Sequence, residues 1–517
     1  MRQFFYSLCM LLFLVACTNG EEFLESLQED SEELPIDPPP TDDETTDDEN
    51  DDSEDDSTDG EEDNNDDNND DQEDDAYYGE VKAFPTAQGA GAYTVGGRGG
   101  AVIPVTTLED GNYEGTLRWA LTRSYPRTVV FRVSGEINLN SELMISGNDK
   151  GYLTVAGQTA PEGGITIKGE RVFFFDVDEV ILRYIRIRQD RNNNEDVLTI
   201  MACSDFIIDH VSASYGGDEC ISVTDGRQYI DNITIQKTLI GESKTGSILG
   251  AISQGNDGRE NNAGDFSFHH NLFVDVSHRF PNTSGNGNFE IINNVIHNWD
   301  SRLSRLNNEP KINFINNYYQ QGLVTQNNDI QRVMHKLAYS ANNDPEIYIA
   351  GNIVWPGVLT NPSADNWFMF SIFLNSGNYA ANDPVPIEFK QNSPFSLMGS
   401  PIQIENANDA YNTVVNDVGS NATVSSTGEI VYYTDNLDMS YINKVKSRSS
   451  NLYRSVNQYD YPRLPSNTPY KDDDLDGMPN DWEIAKGLDP NNAEDRNGDE
   501  NGNGYTNLED FLNRVDL

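Results

Sequence analysis

The sequence predicts an all-β fold, a single-stranded parallel β-helix with an N-terminal capping helix, followed by a small C-terminal module of the EF-hand type. Three observations predict it. Short β-rich runs recur along the body of the chain at intervals of 23 to 35 residues. An asparagine recurs at one place in the last four runs, and residues 466–517 contain two acidic loops with glycine at the same position.

The repeated runs are separated by connections rich in Gly, Asn and Asp. They start at Val180, Phe206, Ile233, Phe266, Phe289, Ile312 and Ile347, which are 26, 27, 33, 23, 23 and 35 residues apart. Repeats of this length, with one strand group each, are typical of a solenoid whose turns stack as parallel strands. The alternative is a β-sandwich with coincidental spacing.

Asparagine occupies the sixth place of the last four runs, at Asn271, Asn294, Asn317 and Asn352. Asn is unfavourable inside a strand unless its amide finds partners. Stacked turns would align these amides into a hydrogen-bonded ladder. The repeated Asn therefore favours the β-helix over the sandwich.

A short helix is predicted before the first turns. Residues 115–122, GTLRWALT, carry apolar side chains at helical spacing. A helix here would cover the open end of the solenoid, which otherwise exposes unpaired strand edges.

The formal net charge of -52 is concentrated before the body, since residues 21–76 hold 30 acidic residues and no basic one. Such a segment has too few apolar groups to fold. We predict a disordered acidic linker over residues 18–78, extended by charge repulsion. Clustered Lys and Arg are missing from the body, so we expect no nucleic-acid partner.

Residues 1–17 have the pattern of an export signal, a basic residue followed by a short apolar run that ends in Leu-Val-Ala-Cys. The last four residues resemble a bacterial lipoprotein box, which implies cleavage before Cys17 and acylation of its thiol. We therefore expect a lipoprotein of the bacterial outer membrane or cell surface, held only by its lipid. Plain secretion is the alternative.

The predicted domains are the signal at 1–17, the linker at 18–78, the β-helix at 79–465 and the C-terminal module at 466–517. We expect a monomer.

Acidic residues that could bind a metal ion lie in successive turns. Asp196 precedes one repeated run, and Asp218 with Glu219 follows it. Residues one turn apart in a β-helix are separated by about 4.8 Å, so these carboxylates could share a calcium ion. We expect His269 and His270 to be structural rather than ligands, because adjacent strand residues point to opposite faces.

Several motifs in residues 93–319 together resemble the pectate lyases. They are YTVGGRGGAVIPVTTLEDGNYEGTLRWAL, TVAGQTAPEGGITIKG, ILRYIRIRQD, FIIDHVSASYGGDE, FHHNLFVDVSHRFP and INNVIHNW, and they follow one another in the family's order. The resemblance implies a right-handed parallel β-helix and calcium-dependent β-elimination of homogalacturonan, a uronate polysaccharide.

The resemblance also implies roles for individual residues. Asp196 corresponds to a calcium ligand, and Asp218 or Glu219 to further ligands. Lys244 corresponds to a substrate-binding lysine. Arg279, in the motif HRFP, corresponds to the catalytic base; a carboxylate clamp is the alternative role, because a guanidinium in water is always protonated.

One feature departs from the family. A second substrate-binding arginine is expected shortly after Pro281, where this chain has Asn-Thr-Ser. Arg302 and Arg305 on the next connection could supply the missing charge, or could be ordinary surface residues. A non-catalytic β-helix that binds uronate polymers therefore remains the alternative function; a polygalacturonase-like hydrolase fits the motifs less well.

Cys203 and Cys220 are the cysteines of the body, and they flank the predicted calcium region. Either a disulfide or two buried thiols in adjacent turns would account for them.

The C-terminal module contains two loops with EF-hand spacing and glycine at position 6. The predicted ligands are Asp472, Asp474, Asp476, Asn480 and Glu483 in the first loop, and Asp499, Asn501, Asn503, Asn507 and Asp510 in the second. Duplicated loops of this kind resemble dockerin-like or thrombospondin type 3 calcium repeats. A solvated acidic tail is the alternative.

Overall fold

The computed structural model describes residues 81–190, 194–226, 228–250, 263–326, 335–338, 345–355, 365–372, 380–396, 398–449 and 462–516. All of them belong to one compact unit, Tyr77–Leu517. The predicted boundary at residue 466 falls inside this unit. The predicted signal and linker lie outside the described residues.

Short strands dominate the described part of the chain. They are β1 (Ala101–Val105), β2 (Arg127–Phe131), β3 (Gly135–Asn138), β4 (Leu143–Ser146), β5 (Leu153–Ala156), β6 (Ile165–Gly169), β7 (Val172–Phe175), β8 (Val180–Arg183), β9 (Arg186–Gln189), β10 (Leu198–Met201), β11 (Phe206–Asp209), β12 (Ser212–Ser214), β13 (Glu219–Thr224), β14 (Ile233–Gln236), β15 (Leu239–Gly241), β16 (Thr245–Gly250), β17 (Asp265–His269), β18 (Leu272–Val274), β19 (Asn282–Ser284), β20 (Asn288–Ile292), β21 (Val295–His297), β22 (Arg305–Asn307), β23 (Lys311–Ile315), β24 (Tyr318–Gln320), β25 (His335–Ala338), β26 (Glu346–Ala350), β27 (Ile353–Trp355), β28 (Phe370–Ile372), β29 (Ala422–Val424) and β30 (Ile430–Tyr432).

Strands β2 to β28 form three long parallel sheets, each of which takes every third strand, and β1 pairs with β2 at the end of the first sheet. Sheet 1 has the order β1-β2-β5-β8-β11-β14-β17-β20-β23-β26, sheet 2 the order β3-β6-β9-β12-β15-β18-β21-β24-β27, and sheet 3 the order β4-β7-β10-β13-β16-β19-β22-β25-β28. The chain thus visits the three sheets in turn and stacks each circuit on the one before. This is a parallel β-helix, so the prediction is confirmed and the sandwich interpretation is wrong. Strands β29 and β30 form a separate antiparallel pair.

Each repeated run contains two strands rather than one, because the chain bends at the fifth residue of the run. The first four residues lie in sheet 1 and the last ones in sheet 2, as in the pair β11 and β12. All seven fifth residues have a positive φ, between 48° and 69°: Tyr184, His210, Lys237, His270, Asn293, Asn316 and Gly351. A left-handed residue turns the chain sharply, which sends it into the next sheet.

The asparagine ladder is present at the corner after this bend. Asn294 accepts hydrogen bonds at Oδ1 from both the backbone N and the Nδ2 of Asn271, each at 3.0 Å. Its own Nδ2 donates to Asn317 Oδ1 at 3.0 Å, and Asn317 repeats the pattern with Asn352. Asn366, which belongs to no repeated run, extends the ladder beyond Asn352.

The α-helices of the described residues are few and short. They are α1 (Leu117–Leu121), α2 (Leu323–Gln326), α3 (Ala407–Asn416), α4 (Asn436–Ser447), α5 (Asn480–Lys486) and α6 (Asn507–Leu512). Short 3-10 turns occupy Ala90–Tyr93, Asn148–Lys150, Gly157–Thr159, Asn366–Met369, Ile387–Phe389, Asp495–Asn497 and Asn513–Asp516. None of the helices placed by the structure combines the length and apolar content that a bilayer crossing requires.

Helix α1 lies where the sequence predicts a helix. The Thr116 side chain caps its first turn, and Leu117, Ala120 and Leu121 are buried in the main core. This core fills the space between the three sheets with Val, Ile, Leu and Phe side chains. A capping role for the helix remains a prediction.

Chain beyond residue 400 covers the outer face of sheet 2 through buried ion pairs. Arg188 Nη2 lies 3.0 Å from Asp438 Oδ1, and Lys444 Nζ lies 2.6 Å from Asp275 Oδ2. Arg186 and Arg188 alternate along β9 and therefore point to the same face of the strand. That face is basic, although both side chains are buried. Unpaired buried charges would be costly, so these pairs fix the position of α4.

Both body cysteines are buried free thiols. The disulfide alternative is therefore wrong. Burial raises the pKa of the Cys203 and Cys220 thiols to about 12, which leaves them protonated and unreactive at neutral pH.

Candidate active site

The site residues predicted in the β-helix lie on the connections from sheet 2 to sheet 3 or, for Glu219 and Arg305, at the first residue of the sheet 3 strand that follows. Asp196 lies between β9 and β10, Asp218 between β12 and β13, Lys244 between β15 and β16, and Arg279 between β18 and β19. Arg302 follows between β21 and β22. Because stacked turns rise by about 4.8 Å each, these five positions span roughly 19 Å. They form a continuous line suited to an extended ligand.

Three carboxylates converge at the start of this line. Asp196, Asp218 and Glu219 each offer an oxygen within 4.8 Å of the others. Asp196 Oδ2 accepts hydrogen bonds from Ser222 Oγ at 2.7 Å and Thr199 Oγ1 at 2.8 Å. Its Oδ1 accepts from the backbone N of Glu219 at 3.1 Å. The Asp196 carboxylate, on a connection, is therefore held by donors from strands β10 and β13.

Burial sets the electrostatics of this cluster. It raises the pKa of the Asp196 and Asp218 carboxyls above their ordinary value, since charge is disfavoured away from water. The Ser222 hydroxyl opposes this effect at Asp196, and the Arg279 guanidinium opposes it at Asp218. A cation between the carboxylates would reduce the repulsion between their negative charges.

Arg279 faces the carboxylates from the next turns. Its Nη1 contacts Glu219 Oε1 and lies 4.0 Å from Asp218 Oδ1. The residue has a φ of 74° and precedes the cis peptide Phe280–Pro281. Its carbonyl passes so close to Gly246 that a Cβ there would lie 2.2 Å from the oxygen. Glycine at position 246 is thus required to seat the Arg279 backbone.

Further positive charge lies along the line on both sides of Arg279. Lys244 Nζ lies 4.0 Å from Asp218 Oδ1, and its side chain is 53% exposed. Burial, followed by the positive charges of Arg302, Arg305 and Lys244, lowers the pKa of the His278 imidazole to about 3. His278 is therefore neutral, and the basic residues around it form an edge that favours anions.

Arg305 takes a position next to the departure from the family motif. Asn282, Thr283 and Ser284 form the buried strand β19, and β22 stacks on it one turn later. The backbone N of Arg305 donates to Asn282 Oδ1 at 2.6 Å. The substrate-binding role of Arg302 and Arg305 remains a prediction.

The first C-terminal loop brings most of its predicted ligands together. Asp472, Asp474 and Asp476 offer oxygens within 4.8 Å of one another, and Asp476 forms a second such group with Glu483 and Asp495. Asn480 is an exception, since its Oδ1 accepts from the backbone N of Asp473 and its Nδ2 donates to Asp473 Oδ2, both at 2.9 Å. Its side chain closes the loop instead of joining the carboxylates.

Polar groups of the second loop bond within the loop or to the turn before it. The amide nitrogens of Asn501 and Asn503 both donate to Asp510, and the backbone N of Gly504 donates to Asp499 Oδ2 at 2.9 Å. Asn507 donates to the carbonyl of Asp495 at 2.7 Å. The second loop is largely exposed, in contrast to the first, and metal binding by it remains a prediction.

The side chains of His269 and His270 do not point to opposite faces, so that part of the prediction is wrong. Their Nδ1 atoms lie 2.9 Å apart, because the bend at His270 ends the strand alternation on which opposite faces depend. Both rings are buried. Burial lowers the pKa of His270 to about 4.

Three residues of these sites were missed by the sequence analysis. Ser222 and Thr199 hold Asp196; Ser222 follows it by 26 residues, one repeat, and that spacing could have identified it. Asp495 lies between the two C-terminal loops, at no loop position, and carries no local signal.

Comparison with known proteins identifies relatives over most of the chain. A family model described as pectate lyase matches residues 143–347. "Probable pectate lyase C" of Emericella nidulans is 31% identical over 446 residues, covering 84% of this chain and 92% of the relative. Its namesake in Aspergillus terreus is 31% identical over 448 residues, covering 84% and 94%.

Solved structures with a similar fold are more distant in sequence. Jun a 1, the major allergen from cedar pollen, is 18% identical with a TM-score of 0.45, covering 64% of this chain and 92% of its own. A pectate lyase from Bacillus sp. N165 in complex with trigalacturonate is 14% identical with a TM-score of 0.40, covering 64% and 98%.

Proposed function

Because this chain belongs to the pectate lyase family and is a polysaccharide lyase, we propose that it cleaves homogalacturonan by calcium-assisted β-elimination. The observation that carries the proposal is the convergence of three carboxylates with a guanidinium. Asp196, Asp218 and Glu219 meet within 4.8 Å, and Arg279 approaches the same group. Hydrolysis would instead call for a carboxylic acid and a carboxylate flanking the bond, without need of a cation.

The carboxylate cluster suits calcium. Calcium prefers hard oxygen ligands, and the cluster offers three carboxylates and no sulfur or imidazole. Bound there, calcium would neutralise both this cluster and the substrate's uronate carboxylate, which acidifies the C5 proton and stabilises the charge left by its removal. Ser222 and Thr199 would keep Asp196 oriented for that purpose.

The elimination transfers one proton from C5 and one to the departing oxygen. Arg279 takes the proton from C5, the released pair forms the C4–C5 double bond, and the bond from C4 to the glycosidic oxygen breaks, so that this oxygen leaves with the electron pair and takes a proton from water. Lys244, Arg302 and Arg305 hold the carboxylates of adjoining sugar residues through charge-assisted hydrogen bonds. The line of positions along the β-helix supports this placement.

Arg279 needs to be transiently neutral to act as a base. It contacts Glu219 and lies 4.0 Å from Asp218 Oδ1, the atom that Lys244 Nζ also approaches at 4.0 Å. A guanidinium that stays protonated would act only as a carboxylate clamp.

The test is the ultraviolet absorbance of an unsaturated product from polygalacturonate. We expect the intact chain to generate it with calcium and to stop in chelator. Replacing Asp196 by Ala should abolish turnover or raise the calcium requirement at least tenfold. Replacing the exposed Glu309 by Ala should change neither the turnover nor the calcium requirement. Full activity of the Asp196 variant in chelator would refute the proposal, and a saturated product would indicate hydrolysis.

We also propose that the chain is exported and held to a membrane by a lipid on Cys17. Residues 1–17 support this by their lipoprotein-like pattern. The full-length chain, expressed in a bacterium with labelled palmitate, should carry label and enter the membrane fraction. A Cys17→Ser variant should lack both properties, and an unlabelled wild-type chain would favour plain secretion.

A further inference from the structure

A second cluster of carboxylates, in the C-terminal segment, shares no residue with the catalytic line of Asp196, Asp218, Lys244, Arg279 and Arg302. Two groups overlap at Asp476, one with Asp472 and Asp474 and the other with Glu483 and Asp495. Since Asp476 belongs to both, the five side chains surround one region. Four of them come from a single loop, and Asp495 comes from the turn that separates it from the second loop.

The cluster contains buried oxygens that have no hydrogen-bond partner. Glu483 is 0% exposed, and neither of its carboxylate oxygens has a donor. The same holds for both oxygens of Asp474 and for one oxygen each of Asp472, Asp476 and Asp495. Buried polar atoms are nearly always satisfied in native proteins. Seven such oxygens in one place indicate a missing positive partner.

Asp495 is oriented as a ligand by its own turn. Its Oδ2 accepts from the backbone N of Asp489 at 2.9 Å, and its Oδ1 is left without a partner. Neighbouring Glu494 differs, because its side chain is 82% exposed and pairs with Arg496 at 3.6 Å. Asp495 is thus fixed toward the cluster, whereas the side chain of the preceding residue, Glu494, points to water.

The cluster is joined to the first turns of the β-helix. Arg132 at the end of β2 reaches Asp472 Oδ2 with its Nη1 at 3.2 Å and stacks on the Tyr470 ring at 4.4 Å. Gly477, inside the loop, packs against Val102 of β1 and Val130 of β2.

The helices that follow the two loops strengthen this junction. Trp482 and Phe511 bury their rings against each other and against Ala156 of β5. Glu509 of α6 forms a 2.7 Å ion pair with Arg98, whose side chain is fully buried. Loop, helices and first strands therefore form one packed structure.

We propose that Asp495 completes a calcium site with Asp472, Asp474, Asp476 and Glu483, and that calcium there locks the C-terminal segment onto strands β1 and β2. The all-oxygen, all-carboxylate donor set is the one calcium prefers. A cation bound to the folded site and not to the unfolded chain stabilises the fold by mass action. The lock is separate from the catalytic cluster and does not depend on the proposed reaction.

The test follows hydrogen exchange of the full chain by mass spectrometry, with calcium and with chelator. Peptides covering Ala101–Val105 and Arg127–Phe131 should exchange at least tenfold faster in chelator. Asp495→Asn should show the fast exchange at calcium concentrations that protect the wild type, and should need at least tenfold more calcium for protection. Its turnover at saturating calcium should be unchanged, because Asp495 belongs to a carboxylate group separate from that of Asp196, Asp218 and Glu219.

Matched variants separate this site from the catalytic one. Glu494→Gln makes the same loss of charge one residue away and should behave as wild type. Asp196→Asn should lose turnover and keep the protection of β1 and β2. Asp474→Asn provides a second lesion of the cluster and should reproduce Asp495→Asn.

Two results would overturn the proposal. Wild-type calcium dependence in Asp495→Asn would remove Asp495 from the site. Chelator effects confined to residues 466–516, with β1 and β2 still protected, would show that the cation orders the segment without locking it to the β-helix.

Discussion

The asparagine ladder makes a quantitative prediction at its centre, Asn294. The side chain makes four hydrogen bonds, two received from Asn271 and one donated to each of Phe268 O and Asn317 Oδ1. Each is worth about 1 kcal/mol net, so Asn294→Ala should cost about 4 kcal/mol. That is a large share of the roughly 5–15 kcal/mol by which domains are stable. The partners left behind are buried and have no access to water.

The assay is urea unfolding followed by circular dichroism, comparing midpoints at constant m-value. Asn288→Ala is the matched control, because its exposed amide makes a single hydrogen bond, to Asp265 Oδ1 at 2.7 Å. We expect that variant to lose about 0.5 kcal/mol. Equal losses in the two variants would refute the reasoning, since the ladder would then contribute no more than a surface amide.

Further predictions concern the base, the acid limb of stability and a buried ion pair. Arg279→Lys should lose nearly all turnover while oligogalacturonate binding persists, because Lys keeps the charge but not the guanidinium. Turnover is measured by kinetics and binding by calorimetry. Equal loss of turnover and binding would favour the role of Arg279 as a carboxylate clamp. The pKa of His270 falls from 6.5 to about 4 on folding, so the unfolded chain takes up this proton first and stability should drop as pH falls from 6.5 to 4. His270→Gln should flatten that limb in urea midpoints, and an unchanged slope would exclude His270 as its source. Asp438→Asn, which leaves Arg188 with Asp435 alone, should cost about 3 kcal/mol in the same assay, and a neutral outcome would show that Asp435 suffices.

Local sequence could predict the features that repeat. The period of the runs and the asparagine at their sixth place both follow from stacking identical turns, so each turn carries the same signal. Stacking also aligns Asp196, Asp218, Lys244 and Arg279, which occupy equivalent connections, whereas the roles of Lys244 and Arg279 are implied by the family resemblance and remain predictions. The EF-hand spacing likewise identified four of the five carboxylates in the C-terminal cluster.

The sequence indicates the bends inside the repeated runs only in part. Asn293, Asn316 and Gly351 are residues that tolerate positive φ, and their presence was a usable sign. Tyr184 and His210 adopt the same conformation without that tolerance. Stacking on neighbouring turns imposes it on them, so no local propensity could reveal that each run is two strands.

The sequence by itself thus determined the fold class and the family resemblance, because both are written in local or periodic patterns. Tertiary structure alone decided what meets across long separations in the chain. Arg188 is buried because Asp438, 250 residues later, lies beside it. Arg132 reaches Asp472 across 340 residues, and Asp495 turns toward a cluster in which it has no motif position. Such contacts depend on how the finished chain packs over the β-helix, and no spacing along the chain encodes that packing.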